Sequence, residues 1–587
     1  MCHLAHAPPF LWILENLYKI FKLHTLPLPI IIIIMSAKIT TEFGHAVPPA
    51  PRHAVTVHMG SEWSNAVEFG ADALSVVAKF KNAYPRTKPH RDIVQLSEAV
   101  LRSIGATGRA CLLFPSLQSA QQCAEYATSD RRNDGVGKRP LRADELMIRA
   151  FVARDPFVAV IFPSELYRVV AGFWSTVGVG VTSRFAEANL AHLGELRQVS
   201  LQEAEAARGH FESLAHDTLR TRILSLVKRA PLHPHLPSSV AARDIYLYQS
   251  GMASIYKPHS YMIDYYQGTS VLFGMAFMDT LVTLEQFGTG SKFFGLGSDE
   301  NIFELEAYLR ESQVLGRKVQ AIWVEFPANP LLVCPDISQL RKLATEYDVV
   351  LGIDDTIGSW ANIDVLAMAD ILVTSTTKSF NGYADAIGGA AILNPASHKY
   401  TELKSLFDAS YVPEVYIDDA QAIEKNSRDY LARSARLNSN GSAVAKYLAS
   451  RAQDPRSAVS RVHYPSVNAS GDNYRRFMRP KTPDFTPGYG CVLSVELQDL
   501  NTARAFYDNL NVHKSVHLGA PFTLAFAYTM CAYQKKLEWA AQFCLKPTQI
   551  RISVGLEDTQ TLVEDFRIAV EAADQAKVTA EEGRDPS

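Results

Sequence analysis

Short apolar runs separated by amphipathic stretches dominate the middle of the chain. Asp244-Ile-Tyr-Leu-Tyr248, Ala321-Ile-Trp-Val-Glu325, Val349-Val-Leu-Gly-Ile353 and Asp370-Ile-Leu-Val-Thr374 are nearly continuous in apolar side chains and too short for helices. Such runs read as strands buried on both faces. Residues 337–346 carry helical periodicity between two of them. Strands alternating with helices predict a mostly parallel sheet covered by helices, with ligands at the strand carboxyl ends. Upstream, apolar positions recur at helical spacing over 63–80, and Ala110-Cys-Leu-Leu-Phe-Pro115 reads as a buried strand ended by proline. Residues 129–140 are polar and charged and include glycine, as a surface loop would. Beyond about 440 the order is mixed: a helix over 442–453, a strand over 491–496, a helix over 501–509, a strand over 549–554 and a last helix.

This pattern divides the chain into an N-terminal extension (40–185), a large α/β domain (186–435) and a smaller α+β domain (436–587). Residues 1–39 read as a disordered leader, with Met35 as an alternative start. The apolar run Leu26-Pro-Leu-Pro-Ile-Ile-Ile-Ile-Ile-Met35 is broken by two prolines and falls short of the roughly 20 residues that span a bilayer. No membrane crossing is expected. The composition, 47% hydrophobic and 20% charged with a net charge of -3, leaves room for several cores and offers no basic excess to neutralise phosphates. Nucleic acid is not an expected partner. Seven cysteines without a Cys-x-x-Cys pair, and no histidine cluster at ligand spacing, point to a reducing, cytoplasmic setting and no metal.

Four strand ends carry candidate chemistry. In Asp370-Ile-Leu-Val-Thr-Ser-Thr-Thr-Lys378 a buried strand delivers Ser375, Thr377 and Lys378 into a loop. Hydroxyls there can hold phosphate while the amine forms an imine, provided burial or nearby charge depresses the lysine pKa. Taken alone, a segment of this kind is usually a solvated turn. Asp354-Asp355 ends the next strand, and a carboxylate there can keep a pyridine nitrogen protonated, or simply cap a helix. Tyr248-Gln-Ser-Gly251-Met252 runs from strand through glycine to helix and offers free N–H groups to an anion. Asn329, in Glu325-Phe-Pro-Ala-Asn329-Pro330, can bond a phenolate or carboxylate, or belong to an Asn-Pro turn.

Taken in order, Ser250-Gly-Met252, Ser270-Val-Leu-Phe-Gly274, Phe293-Phe-Gly-Leu-Gly-Ser-Asp299, Glu325 to Leu332, Asp354-Asp-Thr-Ile-Gly358, Ser375-Thr-Thr-Lys378 onward and Arg551-Ile-Ser-Val-Gly-Leu-Glu557 resemble the Cys/Met-metabolism enzymes dependent on pyridoxal phosphate (PLP). Within them the likeness is to the fungal cystathionine γ-synthase branch, over about residues 240 to 575. His53-Ala-Val-Thr-Val57, Leu112-Leu-Phe-Pro-Ser116 and Ser183-Arg184 resemble that branch's N-terminal extension. The resemblance implies fold type I and a Schiff base between PLP and Lys378, which also moves protons. It implies Asp354 at the pyridinium, and Gly251, Met252, Ser375 and Thr377 at the phosphate, with Arg184 reaching in from a neighbouring subunit of a homodimer or homotetramer. It further implies Phe273 stacked on the ring, and Arg551 at the substrate α-carboxylate with Asn329 close by. Three positions depart from the family: Phe273 and Thr182 stand where tyrosines are usual, and His517 where a serine is usual beside the lysine and substrate. The implied reaction is γ-replacement on an activated homoserine, with cysteine or another nucleophile as acceptor. A γ- or β-lyase and a non-catalytic interaction protein are the alternatives.

Overall fold

The computed structural model describes residues 37–132, 137–232 and 239–582; the expectations for a leader and for Met35 lie outside them. The first sheet comprises β1 (Arg109–Phe114), β2 (Met147–Val152), β3 (Pro156–Pro163) and β4 (Arg197–Val199), antiparallel throughout in the order β1-β3-β2-β4. β4 joins this sheet from beyond residue 185.

The central sheet is built from β5 (Ile245–Tyr248), β6 (Thr269–Phe273), β7 (Ser291–Phe294), β8 (Val319–Glu325), β9 (Val350–Asp354), β10 (Ile371–Thr374) and β11 (Gly389–Leu393). Its order is β5-β11-β10-β9-β8-β6-β7. β6 to β10 are mutually parallel, and β11 runs antiparallel between β10 and β5. Reversing direction twice makes β5 parallel to β10, so Tyr248, Glu325, Asp354 and Thr374 all end on one side of the sheet. Packing across it is tight: Trp323 on β8 pairs with Gly352 on β9, where a Cβ would lie 2.5 Å from the indole. Only glycine leaves room for that ring, and a methyl there would cost about 1–3 kcal/mol in overpacking.

The third sheet holds β12 (Val459–His463), β13 (Val492–Leu497), β14 (His513–Lys514), β15 (Leu524–Phe526) and β16 (Gln549–Ser553), in the order β12-β13-β16-β15-β14.

Helix Ile337–Glu346 matches its periodicity and starts at Asp336, whose side chain accepts from Ser338 N and Gln339 N. The helical spacing over 63–80 resolves into two helices, Trp63–Ala71 and Ala73–Lys79. Asp72 breaks between them and caps the second by accepting from Ser75 N. Helix Tyr430–Ala452 begins well before the expected 442. Asn438-Ser-Asn-Gly-Ser442 reads locally as a breaker, yet Asn440 and Gly441 are buried, and a Cβ on Gly441 would lie 2.4 Å from Gly490 O. Tertiary packing here selects small residues that intrinsic propensity disfavours.

Among the described residues the cysteines are unpaired; Cys111, Cys123, Cys334, Cys491 and Cys531 are buried and Cys544 is exposed. Among them no helix is long and apolar enough to cross a membrane, and no group of three or more His, Cys, Asp or Glu is placed to hold a metal ion.

Candidate active site

A cavity of about 400 Å³ opens at the carboxyl ends of β8, β9 and β10. Gly251, Met252, Asn329, Asp354, Ser375, Lys378 and Arg551 all line it, so segments separated by up to 300 positions in the sequence meet in one place. Gly251 and Met252 open helix Gly251–Tyr266, whose cap is Ser250, accepting from Ala253 N. As first-turn residues they have N–H groups with no intrahelical partner, directed outward from the positive end of the helix dipole. A Cβ on Gly251 would fall 2.5 Å from Ser375 Cβ and 2.6 Å from its Oγ. The cradle between helix and loop is therefore closed to side chains and open to an anion.

The titratable groups are held away from their ordinary states. Burial, then Arg551 and Arg86, push the Lys378 pKa down, against the pull of Tyr84. Burial raises Asp354, opposed by bonding to Thr356 and by the charge of Lys378. Thr356 N donates to Asp354 Oδ1 at 2.9 Å, fixing the carboxyl at the mouth of β9. Of the two adjacent aspartates only Asp354 lines the cavity; Asp355 lies behind it, bonded by the Thr374 hydroxyl, with its pKa pushed up to about 8 by burial. Glu325 is likewise pushed up to about 8, by burial and by Asp354, although it accepts from Phe277 N at 2.6 Å and Asn329 N at 3.0 Å.

Arg551, on β16, is buried and donates to Asn329 Oδ1 at 3.2 Å and Val516 O at 2.6 Å. Asn329 is held in turn by donating to the Tyr528 hydroxyl at 3.1 Å. The Phe526 and Tyr528 rings sit 5.5 and 5.1 Å from the guanidinium carbon. Among the described residues no carboxylate lies in ion-pair contact with Arg551. A buried guanidinium of that kind is suited to receive a carboxylate.

Three expected placements, those of Phe273, Thr377 and His517, are corrected. Phe273 does not face the cavity: it is fully buried in β6 against Phe294. Gly274, at φ +79°, turns the chain, and Phe277 lines the cavity together with Phe69, Tyr84, Phe526 and Tyr528. Thr377 is also off the wall. Its hydroxyl donates to Gly388 O and accepts from Gly388 N, so no proton is left to give a phosphate. Arg184 is engaged elsewhere, 3.2 Å from Asp419 Oδ1 and 3.5 Å from Asp385 Oδ2, while Thr182 caps the helix that carries it and bonds Asp419. Within the chain two carboxylates satisfy that guanidinium. His517 is buried between two cavity-lining neighbours, Val516 and Leu518, but is not itself on the wall. Both of its ring nitrogens lack a hydrogen-bond partner, and burial, Lys378 and Arg551 push its pKa well down.

Tyr84 and Arg86 went unnoticed in the sequence. Arg86 lines the cavity, donates to Ser175 O at 2.5 Å and pairs with Asp279 at 2.6 Å. Lys378 Nζ lies 5.0 Å from the Tyr84 ring centre. Burial would raise that phenol, but Lys378 and Arg86 outweigh it and bring its pKa below the ordinary value. The one signal available was Tyr84-Pro-Arg86 itself, in a proline-containing stretch without periodicity.

These residues fit PLP. The Gly251 cradle, Ser375 and Arg86 suit a phosphate, Asp354 a ring nitrogen, Phe277 a ring face, and Lys378 an aldehyde carbon.

Comparison with known proteins agrees. Residues 234–571 match the family described as Cys/Met metabolism PLP-dependent enzyme, and residues 92–182 the fungal trans-sulfuration enzyme N-terminal domain. The chain is 32% identical to an alanine racemase of Aspergillus violaceofuscus, over 89% of this chain and 96% of that protein. It is 31% identical to a cystathionine gamma-synthase-like enzyme of Amanita muscaria, over 92% of this chain and 99% of that one. The solved cystathionine gamma synthase from Xanthomonas oryzae pv. oryzae has a like fold: TM-score 0.51 and 21% identity, covering 62% of this chain and 88% of that one.

Proposed function

We propose a reaction for a chain that belongs to the family of Cys/Met metabolism PLP-dependent enzymes, and so is a PLP enzyme of the cystathionine γ-synthase and lyase group. The reaction is γ-replacement on an activated homoserine, with cysteine or another nucleophile entering as the γ-substituent leaves. The observation that carries it is a lysine pushed toward its neutral amine, sharing one cavity with a buried arginine that has no carboxylate in ion-pair contact among the described residues. Phe277, Phe526 and Cys531 make much of the remaining wall apolar, leaving room for a side chain rather than for bulk water.

The Gly251 and Met252 N–H groups, Ser375 and Arg86 would hold the cofactor phosphate, and Asp354 the proton on its ring nitrogen. Bound there, PLP supplies the electron sink for charge left at Cα. Arg551 and Asn329 fix the substrate α-carboxylate, which sets the direction of the side chain. Lys378 takes the Cα proton, and it is the group in reach to move protons at Cβ. The Cγ–O bond breaks with departure of the carboxylate or phosphate. A new bond forms at Cγ to the sulfur, nitrogen or carbon of the acceptor, whose proton balances the one taken up. Homo-oligomeric assembly and a cytoplasmic location belong to the same proposal.

Racemisation of a small amino acid is the second reading. It is favoured by Tyr84, which sets a second proton-carrying group beside Lys378, and by the 32% identity to an alanine racemase. One experiment separates the readings: mass spectrometry of products in deuterium oxide from activated homoserines, with and without thiol, amine and carbon nucleophiles, alongside L-alanine. A replacement product supports the proposal. Keto acid alone makes the chain a lyase, and deuterated D-alanine without any replacement product makes it a racemase.

A further inference from the structure

Helix Gly251–Tyr266, whose first turn forms the cradle, is gripped at two levels by the N-terminal part of the chain. At its start Ser250 Oγ donates to Gly178 O and Gln249 Nε2 donates to Val179 O, each at 3.0 Å. Gly178 ends helix Tyr167–Val177 at φ +67°, and a Cβ there would lie 2.3 Å from Ser250 Oγ. The same helix end presents Ser175 O to Arg86, so cap and arginine are set by one piece of backbone.

The second grip is six residues further on, about 9 Å along the axis at 1.5 Å per residue. Lys257 is 1% exposed, and its ammonium donates to Gln118 Oε1 at 2.9 Å, Ser119 Oγ at 2.9 Å and Gln122 Oε1 at 3.0 Å, all on helix Leu117–Thr128. Glu414, 3% exposed, faces it at 3.4 Å and accepts from the Ser116 and Ser119 hydroxyls. A buried ammonium is costly unless its three protons and its charge are all answered. Here they are, by groups from two other segments, and none of them reaches the cavity. Such a network fixes geometry more than it adds stability, because an apolar contact would serve stability alone.

We propose that the N-terminal extension is a built-in brace for the phosphate cradle and that Lys257 is its positioning residue. The bonds at Lys257 fix the axial position and rotation of the helix, and those at Gly178 and Val179 fix its cap. Together they decide where the Gly251 and Met252 N–H groups point. The inference rests on the assignment of those two residues to the cofactor phosphate.

The test uses the full chain freed of cofactor and compares its affinity for PLP with that for pyridoxal, which lacks the phosphate, both read by visible absorbance. The Gln118→Ala/Gln122→Ala variant removes two acceptors and leaves the ion pair in place, so it reports even where Lys257→Met fails to fold. In both variants PLP affinity is expected to fall roughly tenfold or more while pyridoxal affinity stays within about twofold, a tenfold change being about 1.4 kcal/mol. Lys257→Arg should recover part of the difference. Equal loss for both ligands, or loss for neither, overturns the brace. A wild-type chain that holds pyridoxal as tightly as PLP overturns the cradle assignment beneath it.

Discussion

Replacing Arg551 by lysine probes the carboxylate receptor without removing its charge. The guanidinium is 3% exposed and already spans Asn329 Oδ1 at 3.2 Å and Val516 O at 2.6 Å. A planar fork can serve these two acceptors and still present donors to a carboxylate; an ammonium offers three donors from one point. Arg551→Lys therefore gives up one charge-assisted hydrogen bond to the substrate. That bond is worth about 1.5–3 kcal/mol, or roughly 12- to 140-fold at 1.4 kcal/mol per decade. The assay compares kcat/KM for the amino-acid substrate with the binding, followed by absorbance, of the corresponding amine without the α-carboxylate. The loss should appear with the amino acid and vanish with the amine. Equal losses on the two compounds would refute the placement of the carboxylate at Arg551 and point to a disturbed cavity instead.

Lys378→Ala removes the only lysine among the described residues that line the cavity, so the purified protein should lack the visible absorbance of lysine-bound cofactor and show no turnover; a yellow, active variant would sink the assignment. Asp355, with its pKa near 8 against an ordinary 3.8, is protonated in the fold and ionised in the unfolded chain at neutral pH. Its stabilising effect is thus full below about pH 4 and lost as pH rises through about 8. Asp355→Asn should narrow the gap in Tm between about pH 5 and about pH 8, and an unchanged gap would mean the carboxyl is ionised in the fold. His517 is buried with both ring nitrogens unbonded, so His517→Leu should hold or raise Tm at neutral pH, since no hydrogen bond is lost. Because its pKa is depressed, wild-type stability should also fall as pH drops below about 6.5, and the leucine variant should resist that fall. A lowered Tm at neutral pH would show the imidazole to be bonded in solution.

What the sequence determined by itself lies where local pattern is enough. The buried runs that become β8, β9 and β10 have lengths and apolar content that only a covered parallel sheet accommodates, and parallel strands must present their carboxyl ends on one side. That geometry puts Asp354 and Lys378 at neighbouring strand ends before any coordinate is known, while their roles came from the family resemblance. The antiparallel β11, the continuation of helix Tyr430–Ala452 through Asn440 and Gly441, and the exchange of Phe273 for Phe277 do not. Each turns on a neighbour far away in the chain: Gly490 behind Gly441, or a sheet filled with side chains around Phe273. Arg86 and Arg184 make the point most sharply. Arg86 sits in an unpatterned stretch and Arg184 near the start of helix Ser183–Leu190, and only the folded chain decides that one meets Asp279 at the cavity while the other pairs with Asp385 and Asp419. Periodicity is set by rise and pleat along a few residues, whereas the partner of a buried charge is set by which distant acid the folded chain brings within reach.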